Sequence, residues 1–205
     1  NQSGYDVETP SGQGCCGALY AHSGQLEKAR ECARQNIASF EKLNLDAIVI
    51  NAAGCGSTLK EYGELLADDT VWSERAARFS GQVKDLTEWL ETSQFPALDS
   101  KLKVTYHDAC HLAHPQRITV EPRALVKAVV GDRFIELPEA EICCGSAGSY
   151  NLTEPEMAER LQQDLSGKWG TRVYAALSGR GVPARWDTTD TDVLHSDNLT
   201  PARLE

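Results

Sequence analysis

Cys15-Cys16-Gly17-Ala18 recurs 128 residues later as Cys143-Cys144-Gly145-Ser146, and this repeat decides how the chain is read. A duplicated motif of this kind implies two related halves. Between the copies, the turn-rich stretch Thr92–Lys101, with Pro96, Asp99 and Ser100, is the most linker-like segment. It predicts one domain over 1–98 and a second over 99–205.

Each half alternates helix and strand patterns. In the first, Leu26, Ala29, Ala33, Ile37 and Phe40 recur at three- and four-residue steps, predicting a helix from about Gly24 to Lys42 with Ser23 as its cap. The apolar run Ala47–Asn51 reads as a buried parallel strand, followed by a small-residue turn through Cys55 and a helix starting near Thr58. In the second half Lys103–His107 reads as a strand that runs into Asp108-Ala109-Cys110-His111. Pro122 is expected to start a helix that Gly131 stops, and Phe134–Leu137 is expected to be a strand feeding the second Cys-Cys-Gly. Thr153-Glu154-Pro155-Glu156 has capping-box spacing ahead of a Met157, Leu161, Leu165 stripe. The fold class expected is α/β, with two tandem cysteine-rich domains, each a small, mostly parallel sheet flanked by helices. In such sheets, ligands sit in loops beyond the carboxyl ends of strands, which is where Cys55 and Cys110 are expected.

The bulk composition excludes several classes of function. At 41% hydrophobic and 24% charged the chain is globular in composition. A formal charge of −10 leaves no clustered Lys and Arg for phosphate neutralisation, so nucleic acid is not an expected partner. No apolar run reaches membrane-spanning length, and residues 1–10 carry no secretory pattern. The expected location is the cytoplasm, with attachment to the inner membrane only through partners. The glycine-rich loops lack both the G-x-G-x-x-G spacing and a P-loop lysine.

Seven clustered cysteines in a chain of this size point to metal or redox chemistry rather than to disulfide staples. Adjacent Cα atoms lie about 3.8 Å apart, below the usual disulfide window of about 4.4–6.8 Å. A Cys-Cys pair is thus a poor local disulfide, yet it can present two thiolates to nearby metal atoms. The glycine that follows permits a sharp turn and leaves backbone N–H groups to point at sulfur, which tunes an iron–sulfur cluster. The separations from Cys16 to Cys55 and from Cys110 to Cys143 each allow one helix and one strand.

The segments GCCGALYAHSG (14–24), NAAGCGSTLKEYG (51–63), YHDACHLAHPQRI (106–118) and CCGSAGSYNLTEPEMA (143–158) resemble the paired cysteine-rich (CCG) domains of glycolate oxidase iron-sulfur subunits. Lactate-utilisation iron-sulfur proteins and heterodisulfide reductases share the broader pattern. The resemblance implies an oxidoreductase subunit, glycolate dehydrogenase-like and active only with partner subunits, that relays electrons from a flavin-containing oxidase subunit to an acceptor. It implies Cys15, Cys16 and Cys55 as the first set of cluster ligands and Cys110, Cys143 and Cys144 as the second. It also implies a [4Fe-4S] type of iron–sulfur cluster, expected in the full-length parent rather than in this chain alone. The family pattern in each half is a lone Cys, then Cys-Cys, then Cys-x-x-Cys. Here the first half is N-terminally incomplete, Thr58 stands where its last Cys is expected, and the second half has no Cys beyond Cys144. A ferredoxin-like N-terminal domain belongs to the family and has no counterpart in this sequence.

Other readings stay open at this level. A thiol-disulfide or heterodisulfide reductase would use the same cysteines, and a noncatalytic docking module would need none of them. Packing as small apolar residues is the bland account of any cysteine, and Cys32, beside Ala29 and Ala33, is expected to flank the core. His107, His111 and His114 around Cys110 could ligate zinc or hydrogen-bond near the site. Asp108, Asn51 and Arg117 could orient a ligand loop or serve turns and caps. His22 is expected to shape a turn. His195 and the segment Trp186–Asp192 read as a solvated tail.

Overall fold

The computed structural model describes residues 4–92, 95–97, 103–145 and 150–163. The chain divides into two compact units that meet in sequence between residues 94 and 95. The expected helix at Leu165 and the 186–195 tail lie outside the described residues.

Unit 1 opens with the first Cys-Cys-Gly loop and the short helix α1 (Ala18–His22), then α2 (Leu26–Phe40). Ser23, the expected cap of α2, instead closes α1, its hydroxyl donating to the Tyr20 carbonyl at 3.2 Å, and Gln25 stands at the N-cap of α2. The displacement arises because Ala18–His22 folds into a helical turn of its own and Gly24, at φ +77°, reverses the chain before α2. The expected apolar face is present: Ala29, Ala33 and Ile37 are buried, while Leu26 is exposed at the frayed first turn. That face also buries a polar residue, Asn36.

Strand β1 (Ile48–Ile50) leads directly into α3 (Ala53–Lys60), then α4 (Tyr62–Leu65), α5 (Ser73–Gln82) and β2 (Val83–Asp85). The two strands pair in parallel, Ile48 opposite Val83 and Ile50 opposite Asp85, so the sheet is a two-stranded βαβ unit. Helix α3 begins five residues earlier than the sequence suggests, which puts Cys55 in its first turn rather than in a loop. The core joins Ala33, Ile37, Ile48, Leu59, Leu66 and Val83 to an aromatic stack in which Tyr62 lies on Phe79 at 5.4 Å and Phe79 meets Phe40 edge-on at 5.7 Å. Fully buried apolar side chains of this size each contribute about 1.5–3 kcal/mol.

The end of β2 is fixed by a capping box on α6 (Leu86–Trp89). The Asp85 carboxylate accepts from the Thr87 amide at 2.9 Å, and the Glu88 carboxylate accepts from the Asp85 amide at 2.8 Å. Burial raises the Glu88 carboxyl, but its ion pair with Lys60 at 2.6 Å and the Asp85 amide outweigh that effect and hold its pKa below the ordinary value of 4.5. A carboxyl depressed on folding contributes stability that is present above its unfolded pKa and lost as pH falls through its folded one. Unit 1 is therefore expected to lose stability below about pH 4.5. Urea unfolding at pH 6 and pH 3.5 should show that this loss is smaller in Glu88→Gln.

Unit 2 is described over residues 95–97, 103–145 and 150–163. Val104 and Phe134 form a parallel bridge, with Val104 donating to Arg133 and Ile135 donating to Val104. Where strands are expected over 103–107 and 134–137, the described residues show this single bridge. Glu139 takes φ +55°, and beyond it the two segments meet again where the Asp108 amide donates to the Ala140 carbonyl at 2.9 Å. Helix α7 (Cys110–Ala113) follows, then α8 (Val120–Val130), which starts two residues before Pro122 and ends at Gly131 (φ +58°) as expected. Helix α9 (Tyr150–Thr153) is separated by a bend at Glu154 from helical residues 155–163. On that last segment Ala158 is buried and Met157 is exposed, so the buried face is rotated from the expected Met157–Leu161 stripe.

Candidate metal centre

In unit 1 the first Cys-Cys-Gly loop packs against α2 and the start of α3. Gly17, at φ +85°, turns the chain so that its amide donates to the Cys15 sulfur at 3.4 Å. A side chain at this position would sit 3.2 Å from the Ala29 Cα and from the Cys32 Cβ. The turn places the Cys16 Sγ 3.3 Å from the Cys55 Sγ, across 39 residues of sequence. Cys16 is buried and Cys15 exposed.

Two residues that the sequence does not single out hold this loop. The Asn36 amide nitrogen donates to the Cys15 carbonyl and to the Tyr62 hydroxyl, both at 3.0 Å, and the Asn36 carbonyl accepts from Gly14 at 2.8 Å. The Tyr62 hydroxyl donates to the Cys16 carbonyl at 2.8 Å. Both side chains are buried, so their polar groups require partners, and the cysteine loop supplies them. The signal available in the sequence is an Asn on the apolar face of α2, where an unpaired amide would be costly.

Unit 2 repeats the geometry. Gly145, at φ +86°, donates its amide to the Cys143 sulfur at 3.4 Å, and the Cys144 thiol is in hydrogen-bond contact with Cys110 at the start of α7. Different residues position this loop. The His107 Nε2 lies 3.0 Å from the Ile142 carbonyl, directly before Cys143, and the His114 Nε2 lies 3.4 Å from the Glu141 carbonyl. Both rings are thus turned to backbone, as hydrogen bonding near the site requires. Among the described residues no group of three or more His, Cys, Asp or Glu is arranged to hold a metal ion, neither Cys110 with His111 and His114 nor either set of three cysteines.

Asp108 is the buried anchor of the segment before Cys110. Its carboxylate takes a two-pronged ion pair from Arg123, both contacts at 2.6 Å, and its amide donates to the Ala140 carbonyl at 2.9 Å. Asp108, and Glu136 after it, hold the Arg123 guanidinium far above its ordinary pKa. The residue therefore ties the two cysteine-bearing segments of unit 2 together. Asn51 is exposed, and Arg117 takes φ +56° in the irregular segment between α7 and α8.

The thiol pairs have a common electrostatic character. Contact with Cys55, then burial, pushes the Cys16 thiol up, and contact with Cys144, then burial, does the same to Cys110. Burial, followed by the charges of Cys15 and Cys16, raises Cys32, whose partial burial fits its expected place beside the core. Without a cation, each touching pair shares protons rather than standing as two thiolates; a metal would displace them.

Residues 1–60 and 104–171 match the cysteine-rich domain (CCG) family, and the chain belongs to that family. It is similar to a probable glycolate oxidase iron-sulfur subunit of Bacillus subtilis, at 46% identity over 78% of this chain and 37% of that protein. The glycolate oxidase iron-sulfur subunit of Escherichia coli is 33% identical over 89% of this chain and 49% of its own length. Lactate utilization protein A of Shouchella clausii is 32% identical over 80% of this chain and 69% of its own length. The chain thus spans between about a third and a half of the two glycolate oxidase subunits.

The residues fit an iron–sulfur cluster in kind. They are soft thiols, brought together in pairs, with glycine amides directed at sulfur. In number the expected ligands are three per unit, one short of a fully Cys-ligated cluster, and unit 1 holds a fourth cysteine, Cys32, near Cys15 and Cys16.

Proposed function

We propose that this chain is the cysteine-rich part of an iron–sulfur electron-transfer subunit in a 2-hydroxy-acid oxidase complex of the glycolate or lactate type. Its electrons come from a flavin-containing partner and leave to an acceptor. The observation that carries the reading is the contact between Cys16 and Cys55 at 3.3 Å, repeated in unit 2 by Cys110 and Cys144. Cys15, Cys16 and Cys55 would hold one cluster of the [4Fe-4S] type, and Cys110, Cys143 and Cys144 a second, in the two tandem domains. Bound iron and sulfide supply one-electron chemistry at a potential that sulfur hydrogen bonds adjust.

The chain's own residues do the rest. Gly17 and Gly145 direct amides at sulfur, and Asn36, Tyr62 and His107 hold the carbonyls of the cysteine loops. Burial of Cys16 keeps water from one thiol of the first set. No helix among the described residues is long and apolar enough to cross a membrane. The proposed location is cytoplasmic, with the remaining ligands and a ferredoxin-like domain supplied by the rest of the subunit or its partners.

A thiol–disulfide reductase is the alternative, since the touching Cys16 and Cys55 sulfurs would serve it as well; disulfide-reducing activity of an iron-free subunit would favour it. Anaerobic reconstitution of the full-length subunit, followed by iron and acid-labile sulfide assay and EPR, tests the proposal. The expected result is bound iron with an EPR signal on reduction, most of the first site's iron being lost in Cys55→Ser. A full-length subunit that takes up no iron would end the reading.

A further inference from the structure

One peptide group in unit 1 is gripped at both ends. The carbonyl of Cys16 accepts the Tyr62 hydroxyl at 2.8 Å, and the amide on the other side of the same peptide, that of Gly17, donates to the Cys15 sulfur at 3.4 Å. A hydrogen bond accepted by a peptide carbonyl polarises the group and strengthens donation by its N–H. The Tyr62 hydroxyl is itself fixed, because it accepts from the Asn36 amide at 3.0 Å and its ring is stacked on Phe79.

We infer that Tyr62 is a positioning residue that sets the charge carried by the Cys15 sulfur, acting through the peptide that joins Cys16 to Gly17. Its hydroxyl is hydrogen-bonded to a backbone carbonyl and to Asn36, and not to sulfur. Its hydroxyl draws electron density from the Cys16 carbonyl, the Gly17 N–H becomes the stronger donor, and negative charge on the Cys15 sulfur is better held. N–H donation to sulfur favours the more negative, reduced form of a cluster, so Tyr62 raises the potential of the first site. The consequence for potential rests on the function proposed above; the hydrogen-bond relay does not.

The test is a graded series at position 62. Tyr62→Phe removes the hydroxyl while keeping the ring on Phe79, and 3-fluorotyrosine in place of Tyr62 keeps the hydroxyl and makes it a stronger donor. In the full-length subunit loaded with iron and sulfide, the EPR-monitored midpoint potential of the first site is expected to move down in the Phe variant. It should move up in the fluorotyrosine variant, with iron content unchanged. In the metal-free 205-residue chain, the Gly17 amide is expected to exchange about two- to tenfold faster in Tyr62→Phe, the range that loss of one hydrogen bond represents. Exchange in the fluorotyrosine variant should be no faster than in the parent. A merely structural role would not follow donor strength. Identical Gly17 exchange across the series, or potentials that ignore the order of donor strength, would overturn the inference. Should the full-length parent bind no iron, the electron-transfer reading fails, and the Gly17 amide alone decides the relay.

Discussion

Gly145→Ala is expected to cost unit 2 more stability than Gly131→Ala, whose added methyl meets nothing within 4 Å. Gly145 holds φ +86°, and a Cβ there would lie 2.6 Å from the Ala158 carbonyl oxygen, a backbone atom that cannot rotate aside. The left-handed backbone costs about 1–2 kcal/mol for an L-residue, and forced overlap adds about 1–3 kcal/mol. The sum is about 2–5 kcal/mol, to be read from urea unfolding and from faster hydrogen exchange over 104–142. Gly24→Ala separates the two contributions. It has φ +77° but nothing within 4 Å of the added methyl, so it should lose only the backbone part. Equal losses at both positions would show that the Cys-Cys-Gly turn of unit 2 does not pack on the 155–163 helix.

The second large effect is expected at Arg123. Arg123→Leu leaves the Asp108 carboxylate, 4% exposed, without its two-pronged partner. Removing one member of a buried ion pair costs about 3–5 kcal/mol, because the remaining charge stays desolvated. Pairing it with Asp108→Leu removes the stranded charge and should recover much of the loss. The same hydrogen-exchange experiment over 104–142 reads both variants. A double variant as unstable as Arg123→Leu alone would mean that Asp108 matters through its amide contact with Ala140 and not through its charge.

What is legible in the sequence follows a physical divide. The helical face of α2 and the apolar run of β1 are local patterns, and both stand where the sequence puts them, to within a few residues. Strand β2 is three residues long with Lys84 exposed between two buried neighbours, too short for alternation to be visible. It exists because β1 lies beside it. In unit 2 the opposite error arises: branched residues at 103–107 suggest a strand, but the described residues form a single bridge, Val104 with Phe134. Small residues hide helix starts, as at Ala53-Gly54, and this moves Cys55 from the expected loop into a helix.

For the candidate site, the cysteines are visible because Cys-Cys-Gly is duplicated, although Cys16 is also part of the apolar core of unit 1. The residues that shape their surroundings are not. Asn36 and Tyr62 meet the first loop across 21 and 46 residues, and only the folded chain reveals that two buried polar groups end on cysteine carbonyls. His107 stands out in the sequence for its neighbour Cys110, yet its contact is with the loop of Cys143. The two sites therefore share one turn and differ in what holds it: a buried Asn–Tyr pair in unit 1 and imidazole rings in unit 2.

In the proposed function, thiols of both repeats ligate iron. Iron-edge X-ray absorption on the anaerobically reconstituted full-length subunit, compared with Cys16→Ser and Cys144→Ser, measures this most directly. The expected first shell is sulfur alone in the parent, with sulfur lost or oxygen gained in each variant. A parent spectrum dominated by oxygen and nitrogen neighbours, or variants whose sulfur shell is unchanged, would contradict it.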